Sequence, residues 1–452
     1  MGCVFSWAIL IQVINRFANP QALNWLTLGP GASTIRPRLA KRSYSMSIDS
    51  VYSDLTLKNG AKMALLVMDG LGDIAIAATD YKTPLEAATT PNLDALAKDS
   101  AQGRLIPAAH GITPGSGPGH LGLFGYDPLK YEVGRGVIEA LGLGLELQSG
   151  DVAARANFCT LDTGGLVTDR RAGRIETELC EERCAKLSEN IRQIGDAEVI
   201  VTPGKGHRFV IIFRGADLAG PLSDTDPHRE GQPIAESKPD NPDCPKAKKA
   251  SKLIGEFYEA ALPLLAGMEP ANGFLMRGIA HQPNIPMFAE RYAMRPACLA
   301  VYPMYKGLAQ LVGMTKHEGP QTIEEQFLRY VELYDEYEFF FVHYKYTDMY
   351  GEDGNFEAKT KAIEEFDKAL PILLEKKPDV IAITGDHSTP CALKGHSWHP
   401  QPVLLYSAAS GSDKLERFTE TLANRGSLGI IEAKHLIRLM QANALMFDKF
   451  GA

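Results

Sequence analysis

The stretch Ile381-Ala382-Ile383-Thr384-Gly385-Asp386-His387-Ser388-Thr389-Pro390-Cys391-Ala392-Leu393-Lys394-Gly395-His396 decides how the chain is read. The run Asp379–Ile383 is short, apolar and rich in β-branched residues, with Gly385 just after it. A buried parallel strand has this form where it delivers residues to the carboxyl edge of a sheet. Asp386 and His387 are the first side chains past that edge, and His396 follows nine positions after His387. Carboxylate oxygen and imidazole nitrogen suit a divalent cation, since both donors are available near neutral pH. A turn capped by Asp386 with histidines facing water is the alternative for this stretch taken alone.

Other segments end in the same chemistry. Ala61–Met68 reads as an apolar strand with Asp69-Gly70 at its end, a position common for ligands in open α/β sheets. Thr90-Pro91 opens a helix, with Thr90 at the cap and Pro91 at the first helical position. Phe339–Tyr344 reads as a buried strand running into Lys345-Tyr346-Thr347-Asp348-Met349-Tyr350-Gly351-Glu352-Asp353-Gly354, a glycine-containing turn. Leu299–Pro303 is another strand, followed by Met304-Tyr305-Lys306-Gly307. Between the first strands lies His110–His120, in which Ser116 stands between Gly115 and Gly117 ahead of a helical run. A helix start offers free N–H groups and a positive dipole end, which favour phosphate and an alkoxide. The spacing is neither that of a phosphate-binding P-loop nor that of a hydrolase nucleophile elbow.

Residues 138–295 differ in character. Strands are expected at Asp151–Leu161 and Lys205–Phe213, helices at Ile175–Ile194 and Lys249–Leu265, and a long polar loop at Ser223–Pro239. Arg155, the run Asp169-Arg170-Arg171-Ala172-Gly173-Arg174, the pair His207-Arg208, and Arg277 punctuate the segment. Three arginines within five residues form either a solvated surface or a clamp for phosphate or carboxylate, which the guanidinium fork binds bidentately.

A chain of 452 residues with 45% hydrophobic and 23% charged residues is expected to build two domains with sizeable cores. Its net charge of −8 and the lack of a basic stripe exclude a nucleic-acid partner. Seven scattered cysteines point to free thiols in a reducing compartment. Residues 1–48 hold no Asp or Glu and five Lys or Arg, and are expected to be an extension that is disordered or removed, with Met46 the working start. Met1-Gly2-Cys3 followed by Val4-Phe5-Ser6 also fits lipidation, and the Arg- and Ser-containing tail fits an organellar transit peptide. The apolar run Phe5–Val13 is too short to span a bilayer, so no integral membrane contact is expected. A cytoplasmic location is the leading expectation; the oligomeric state is open.

Asp69, Ser116, Asp348, Glu352, Asp386, His387 and His396 fall on two blocks separated by the Arg-rich segment, which predicts a sheet domain with a second domain inserted in it. The set is large enough for two metal ions, and paired ions stabilise both the attacking and leaving oxygens of a phosphoryl transfer. Ligation would also activate the Ser116 hydroxyl.

MDGLGD, TPGSGPGHLGLFGYDP, DRRAGRI, GHRFVII and TGDHSTPCALKGHS together resemble the alkaline phosphatase superfamily, and more closely the archaeal-type 2,3-bisphosphoglycerate-independent phosphoglycerate mutases. The likeness runs from about Ala61 to Phe447. It implies an α/β fold: a central, mostly parallel, alkaline-phosphatase-like sheet flanked by helices (49–137 plus 296–452), with a smaller α/β substrate-binding domain inserted at 138–295. It implies that Asp69, Ser116, Asp386 and His387 surround one metal and Asp348, Glu352 and His396 the other. Ser116 would accept the phosphoryl group. Arg155, Asp169, Arg170, Arg171, Arg174, His207, Arg208, Arg277 and Lys306 would hold a small phosphorylated substrate. The family pattern D-x-x-G-H-D-G has an imidazole where this chain has Glu352, and the added oxygen donor shifts preference toward Mn²⁺ or Mg²⁺ and away from Zn²⁺. His399 has no counterpart among the ligands and reads as a surface residue. The implied activity is the interconversion of 3-phosphoglycerate and 2-phosphoglycerate, with no 2,3-bisphosphoglycerate. A related phosphatase, a mutase of another small phosphorylated acid, and a regulatory protein that kept the fold but lost turnover are the alternatives.

Overall fold

The structure, a computed structural model, describes residues 47–451 apart from 132 and 149, so the lipidation and transit readings of the N-terminal extension lie outside the described residues. Strands β1 (Met63–Met68) and β2 (Ala101–Ile106) come first. Six more follow: β3 (Val152–Leu161), β4 (Val167–Asp169), β5 (Gln193–Ile194), β6 (Ala197–Pro203), β7 (Arg208–Arg214) and β8 (Gly273–His281). The last group is β9 (Pro296–Ala300), β10 (Thr315–Lys316), β11 (Phe339–Tyr344), β12 (Val380–Thr384), β13 (Gln401–Ser407) and β14 (Gly429–Glu432).

The larger sheet has the order β10-β9-β11-β1-β12-β13-β2-β14. All neighbours pair in parallel except β12–β13 and β13–β2, so β13 alone runs against the others. That reversal places the start of β13 at the same edge as the ends of β1, β11, β12 and β2. The register sets Met68 opposite Tyr344 and Val67 opposite Thr384, so the three central strands finish level.

Strand β1 shows why this sheet needs two covering layers. Met63, Leu65 and Val67 face one apolar core, with helical residues such as Leu121, Val137, Leu308 and Ile437. Ala64, Leu66 and Met68 face the other, with Leu93, Phe327, Ile363 and Phe366. Every residue of the strand is buried, as the unbroken apolar run requires.

The second sheet is antiparallel, with β3 paired to β4, β7 and β8 and β6 between β7 and β5. One face packs on the helices Thr177–Asn190 and Pro245–Leu265 through Cys180, Cys184, Leu253 and Phe257. From its other face Ala153, Val210 and Ile212 join the core that also covers β1. Position 138 falls inside the helix Arg135–Gly142, which lies between the sheets. The six described cysteines are free thiols. Among the described residues no helix is long and apolar enough to cross a membrane.

Three local expectations need correction. The strand expected at Leu299–Pro303 is β9, ending at Ala300, because Pro303 starts the helix Pro303–Leu311. The glycine-containing turn after β11 is the helix Tyr346–Asp353, stopped by Gly354 in the left-handed region at φ 72°. Thr90 does precede the helix Pro91–Ala97, but its hydroxyl meets the Asp94 side chain, and Asp367 from another helix accepts the Leu93 N–H at 2.7 Å instead.

Candidate active site at the carboxyl edge of the sheet

Asp69 ends β1, Lys345 and Asp348 follow β11, and Asp386 and His387 follow β12. The helix Ser116–Leu123 brings Ser116 as its first residue, behind the extended Gly115 cap. Two glycines make the fit possible. Gly70 has φ 61°, and a side chain there would collide with Thr389 and Asp348. At Gly119 a Cβ would lie 2.5 Å from the Asp386 carbonyl oxygen, so only glycine lets the helix approach the end of β12 this closely.

Asp69, Asp386 and His387 form one buried group that could hold a metal ion. His387 Nε2 lies 3.3 Å from Asp69 Oδ1, 3.2 Å from Asp386 Oδ2 and 3.2 Å from Ser116 Oγ. Asp69 Oδ1 and Asp386 Oδ2 are buried, and the imidazole nitrogens beside them are not aligned as hydrogen-bond donors. Converging, unsatisfied oxygens beside an imidazole are a cation's donor set, so these residues fit a divalent ion. Asp348, His387 and His396 form the second group. His396 Nε2 is 3.6 Å from Asp348 Oδ1 and 3.7 Å from Glu352 Oε1, and its ring stacks on that of His387 at 3.7 Å. Glu352 stands at the rim, with a side chain 55% exposed, on the same helix as Asp348 and one turn later.

Electrostatics bind the cluster together. Burial works to raise the Asp69 carboxyl, but the adjacent imidazoles of His343 and His387 and the charge of Lys345 carry it well below the usual range. Burial opposes charge on His387, yet Asp386 and Asp69 raise it to about 9. Lys345 lies between the groups, 3.1 Å from Asp69 Oδ2 and in contact with Asp348. Burial disfavours its ammonium, and these two carboxylates overcome that and raise its pKa. The Tyr305 hydroxyl is pushed well above its ordinary value by burial and by Asp69 and Asp386.

The arginines cluster on the second sheet. Arg155 and Arg277 are directly paired across β3 and β8. His207 is driven down to about 4 by burial and by Arg208, Arg171, Arg155 and Arg174, so these cations surround it. Asp169 does not extend that charge: its oxygens accept the N–H groups of Arg171 and Gly173, each at 2.7 Å, and shape the loop that presents the arginines. Asp226, fully buried, takes Arg170 in a fork at 2.9 and 3.0 Å and also binds Arg277. Burial would raise its carboxyl, and the two guanidiniums hold it low. Arg155 Nε is buried without a partner. Lys306 pairs with Glu318, and its chain neighbour Tyr305 is the residue that reaches the ligand cluster.

Sequence reasoning assigned no role to His120, His343, Tyr305, Lys345, Thr389 or Asp226. His120 Nδ1 is 2.8 Å from the Ser116 carbonyl and 3.1 Å from Asp386 Oδ2, and His343 Nε2 is 3.2 Å from Asp69 Oδ2. Burial lowers His343 against the pull of Asp69. His343 and Lys345 flank the end of β11, a position that marks them as edge residues. Asp226 sits in a polar loop and gave no signal.

A serine hydroxyl among buried carboxylates and imidazoles, at the carboxyl edge of a mostly parallel sheet, defines an α/β enzyme. The family described as 2,3-bisphosphoglycerate-independent phosphoglycerate mutase matches residues 97–271. A probable enzyme of that name from Aquifex aeolicus is 49% identical over 411 residues, covering 89% of this chain and 100% of its own. One from Thermotoga maritima is 48% identical over 401 residues, covering 88% and 98%. Among solved structures, a Pyrococcus horikoshii protein superposes with TM-score 0.72 at 31% identity, over 87% of this chain and 99% of its own. The cofactor-independent phosphoglycerate mutase of Thermoplasma acidophilum gives 0.68 at 31%, over 85% and 100%. The chain belongs to the 2,3-bisphosphoglycerate-independent phosphoglycerate mutase family.

Proposed function

We propose that the chain interconverts 3-phosphoglycerate and 2-phosphoglycerate without 2,3-bisphosphoglycerate, by passing the phosphoryl group through Ser116. The observation that carries this reading is the Ser116 hydroxyl at a helix start, 3.2 Å from His387 Nε2, the nitrogen on which the buried Asp69 and Asp386 carboxylates converge. Asp69, Ser116, Asp386 and His387 would hold one divalent ion, and Asp348, His396 and Glu352 the other. Mn²⁺ or Mg²⁺ suits this oxygen-rich set better than Zn²⁺. Two such ions, when bound, lower the pKa of a ligating hydroxyl and offset charge on a transferring phosphoryl group.

The chain's own residues do the rest. The free N–H groups and dipole of the helix Ser116–Leu123 favour negative charge at its start. Ser116 Oγ gives up its proton and forms a bond to phosphorus as the bond to the glycerate 3-oxygen breaks, and that oxygen takes up a proton in exchange. The glycerate then presents its 2-hydroxyl, which loses its proton as it attacks phosphorus, while the bond to Ser116 Oγ breaks and that oxygen regains a proton. Arg155, Arg170, Arg171, Arg174, His207, Arg208 and Arg277, on the inserted part 138–295, would grip the carboxylate and phosphate while the acid turns; Lys306 belongs to the same proposal. The part formed by 49–137 and 296–452 would carry the chemistry. The acidic charge and free thiols support a cytoplasmic enzyme. An enolase-coupled assay on Mn²⁺-loaded protein tests the reading. Formation of 2-phosphoglycerate is expected, whereas stoichiometric release of inorganic phosphate would make the protein a phosphatase.

A further inference from the structure

Thr389 lies two residues after His387 and touches both candidate metal groups. Its Oγ1 is 2.6 Å from Asp348 Oδ1 and 3.0 Å from His387 Nδ1. A hydroxyl has one proton to donate, and a carboxylate can only accept, so the Thr389 proton points to Asp348. The His387 Nδ1 must then carry the hydrogen that Thr389 Oγ1 accepts. The lone pair of a neutral His387 ring is left on Nε2, the nitrogen that faces Asp69, Asp386 and Ser116.

The hydroxyl has little freedom to choose another arrangement. The Thr389 N–H donates to the Gly72 carbonyl at 3.1 Å, and its carbonyl accepts Lys359 Nζ at 2.9 Å. Lys359 is fully buried and also binds Asp73 at 3.0 Å and the Gly72 carbonyl at 3.3 Å. One buried ammonium thus ties the loop after β1 to the loop after β12. The side chain of Thr389 is itself fully buried, in the space that Gly70 leaves open.

We propose that Thr389 is a positioning residue that fixes the His387 tautomer for ligation through Nε2 and links the two metal groups. The proposal deepens the two-ion reading above and rests on it. By donating to the Asp348 carboxylate the Thr389 hydroxyl becomes a better acceptor for Nδ1–H, and a firmer Nδ1–H bond makes Nε2 a better donor to a cation. Thr389→Val keeps the shape and removes the relay, whereas Thr389→Ser keeps the hydroxyl.

Mn²⁺ titration calorimetry on chelator-treated full-length protein tests this. Wild type and Thr389→Ser are expected to bind two equivalents with affinities within about threefold of each other, and Thr389→Val to lose roughly 10–100-fold at both, the range typical of residues that orient metal ligands. Metal-free Thr389→Val is expected to melt lower, by the loss of two buried hydrogen bonds, yet to stay folded at the titration temperature, so that weaker Mn²⁺ binding by folded protein, restored in Thr389→Ser, separates the relay from a merely structural role. Unchanged affinity in Thr389→Val overturns the proposal alone. Wild type that binds no Mn²⁺ overturns it together with the two-ion reading. Should Thr389→Val not fold, nitrogen NMR of Mg²⁺-loaded wild type decides: a protonated His387 Nδ1 is expected, and a protonated Nε2 overturns the relay.

Discussion

Gly119→Ala puts the alignment of Ser116 to a direct trial. The added methyl would sit 2.5 Å from the Asp386 carbonyl oxygen, 3.2 Å from its carbonyl carbon and 3.3 Å from its Cβ. Ordinary carbon contacts begin near 3.5 Å, so the helix must retreat by about 1 Å or the end of β12 must bend. Neither partner is a flexible side-chain tip; one is the strand end that carries Asp386 and His387, the other the helix that carries Ser116 and His120. Overpacking of this kind costs about 1–3 kcal/mol of stability. The larger effect falls on chemistry, because a displacement of about 1 Å between reacting groups can lower turnover by about a hundredfold. The assay is kcat in the enolase-coupled reaction at saturating 3-phosphoglycerate and Mn²⁺, beside a thermal melt and a metal titration. Folded protein that still binds metal, with kcat down by about two orders of magnitude, is expected. Wild-type kcat in Gly119→Ala would refute the claim that this contact aligns the serine.

Other consequences can be measured on the same protein. Arg171→Ala and Arg174→Ala are each expected to reduce kcat/KM by about 10–150-fold, the worth of one charge-assisted contact of about 1.5–3 kcal/mol, and steady-state kinetics would show it. Glu352→Gln is expected to weaken Mn²⁺ binding at one of two equivalents in a titration, while Glu352→His keeps activity and accepts Zn²⁺ more readily. Glu420 is buried beside Thr83, with Arg104 and Glu86 near it, and burial raises its carboxyl to about 7. A raised carboxyl contributes stability that is complete below its unfolded value near 4.5 and lost as pH rises through 7. Glu420→Gln should therefore match wild type near pH 4 and exceed it by roughly 3 kcal/mol above pH 8 in urea denaturation.

The central sheet was legible because β1, β11 and β12 are largely apolar runs of five or six residues, and an acid follows β1 and β12 within two positions and β11 within four. The edge strands were not: β10 has two residues, and β14 is partly exposed and begins at a glycine. The helix Tyr346–Asp353 was hidden because its buried positions, Thr347, Asp348 and Gly351, form no apolar period, and packing on the following helix Phe356–Leu374 holds it rather than propensity. Among site residues, acids and histidines at strand ends could be named from position alone. Thr389, His120 and Asp226 could not, since each acts by a hydrogen bond or ion pair to a residue tens to hundreds of positions away: Thr389 to Asp348, His120 to Asp386, and Asp226 to Arg170. Lys345 bridges the two acids because β1 and β11 are neighbours in register, a relation that no local pattern encodes.

The central claim is that Ser116 carries the phosphoryl group between the two glycerate oxygens. Rapid acid quenching of Mn²⁺-loaded enzyme mixed with 3-phosphoglycerate, followed by peptide mass spectrometry, tests it directly. A phosphoryl group on the peptide that contains Ser116, present in wild type and missing in Ser116→Ala together with all turnover, is the predicted result. Turnover that persists in Ser116→Ala, or phosphate found on another residue, would contradict the account.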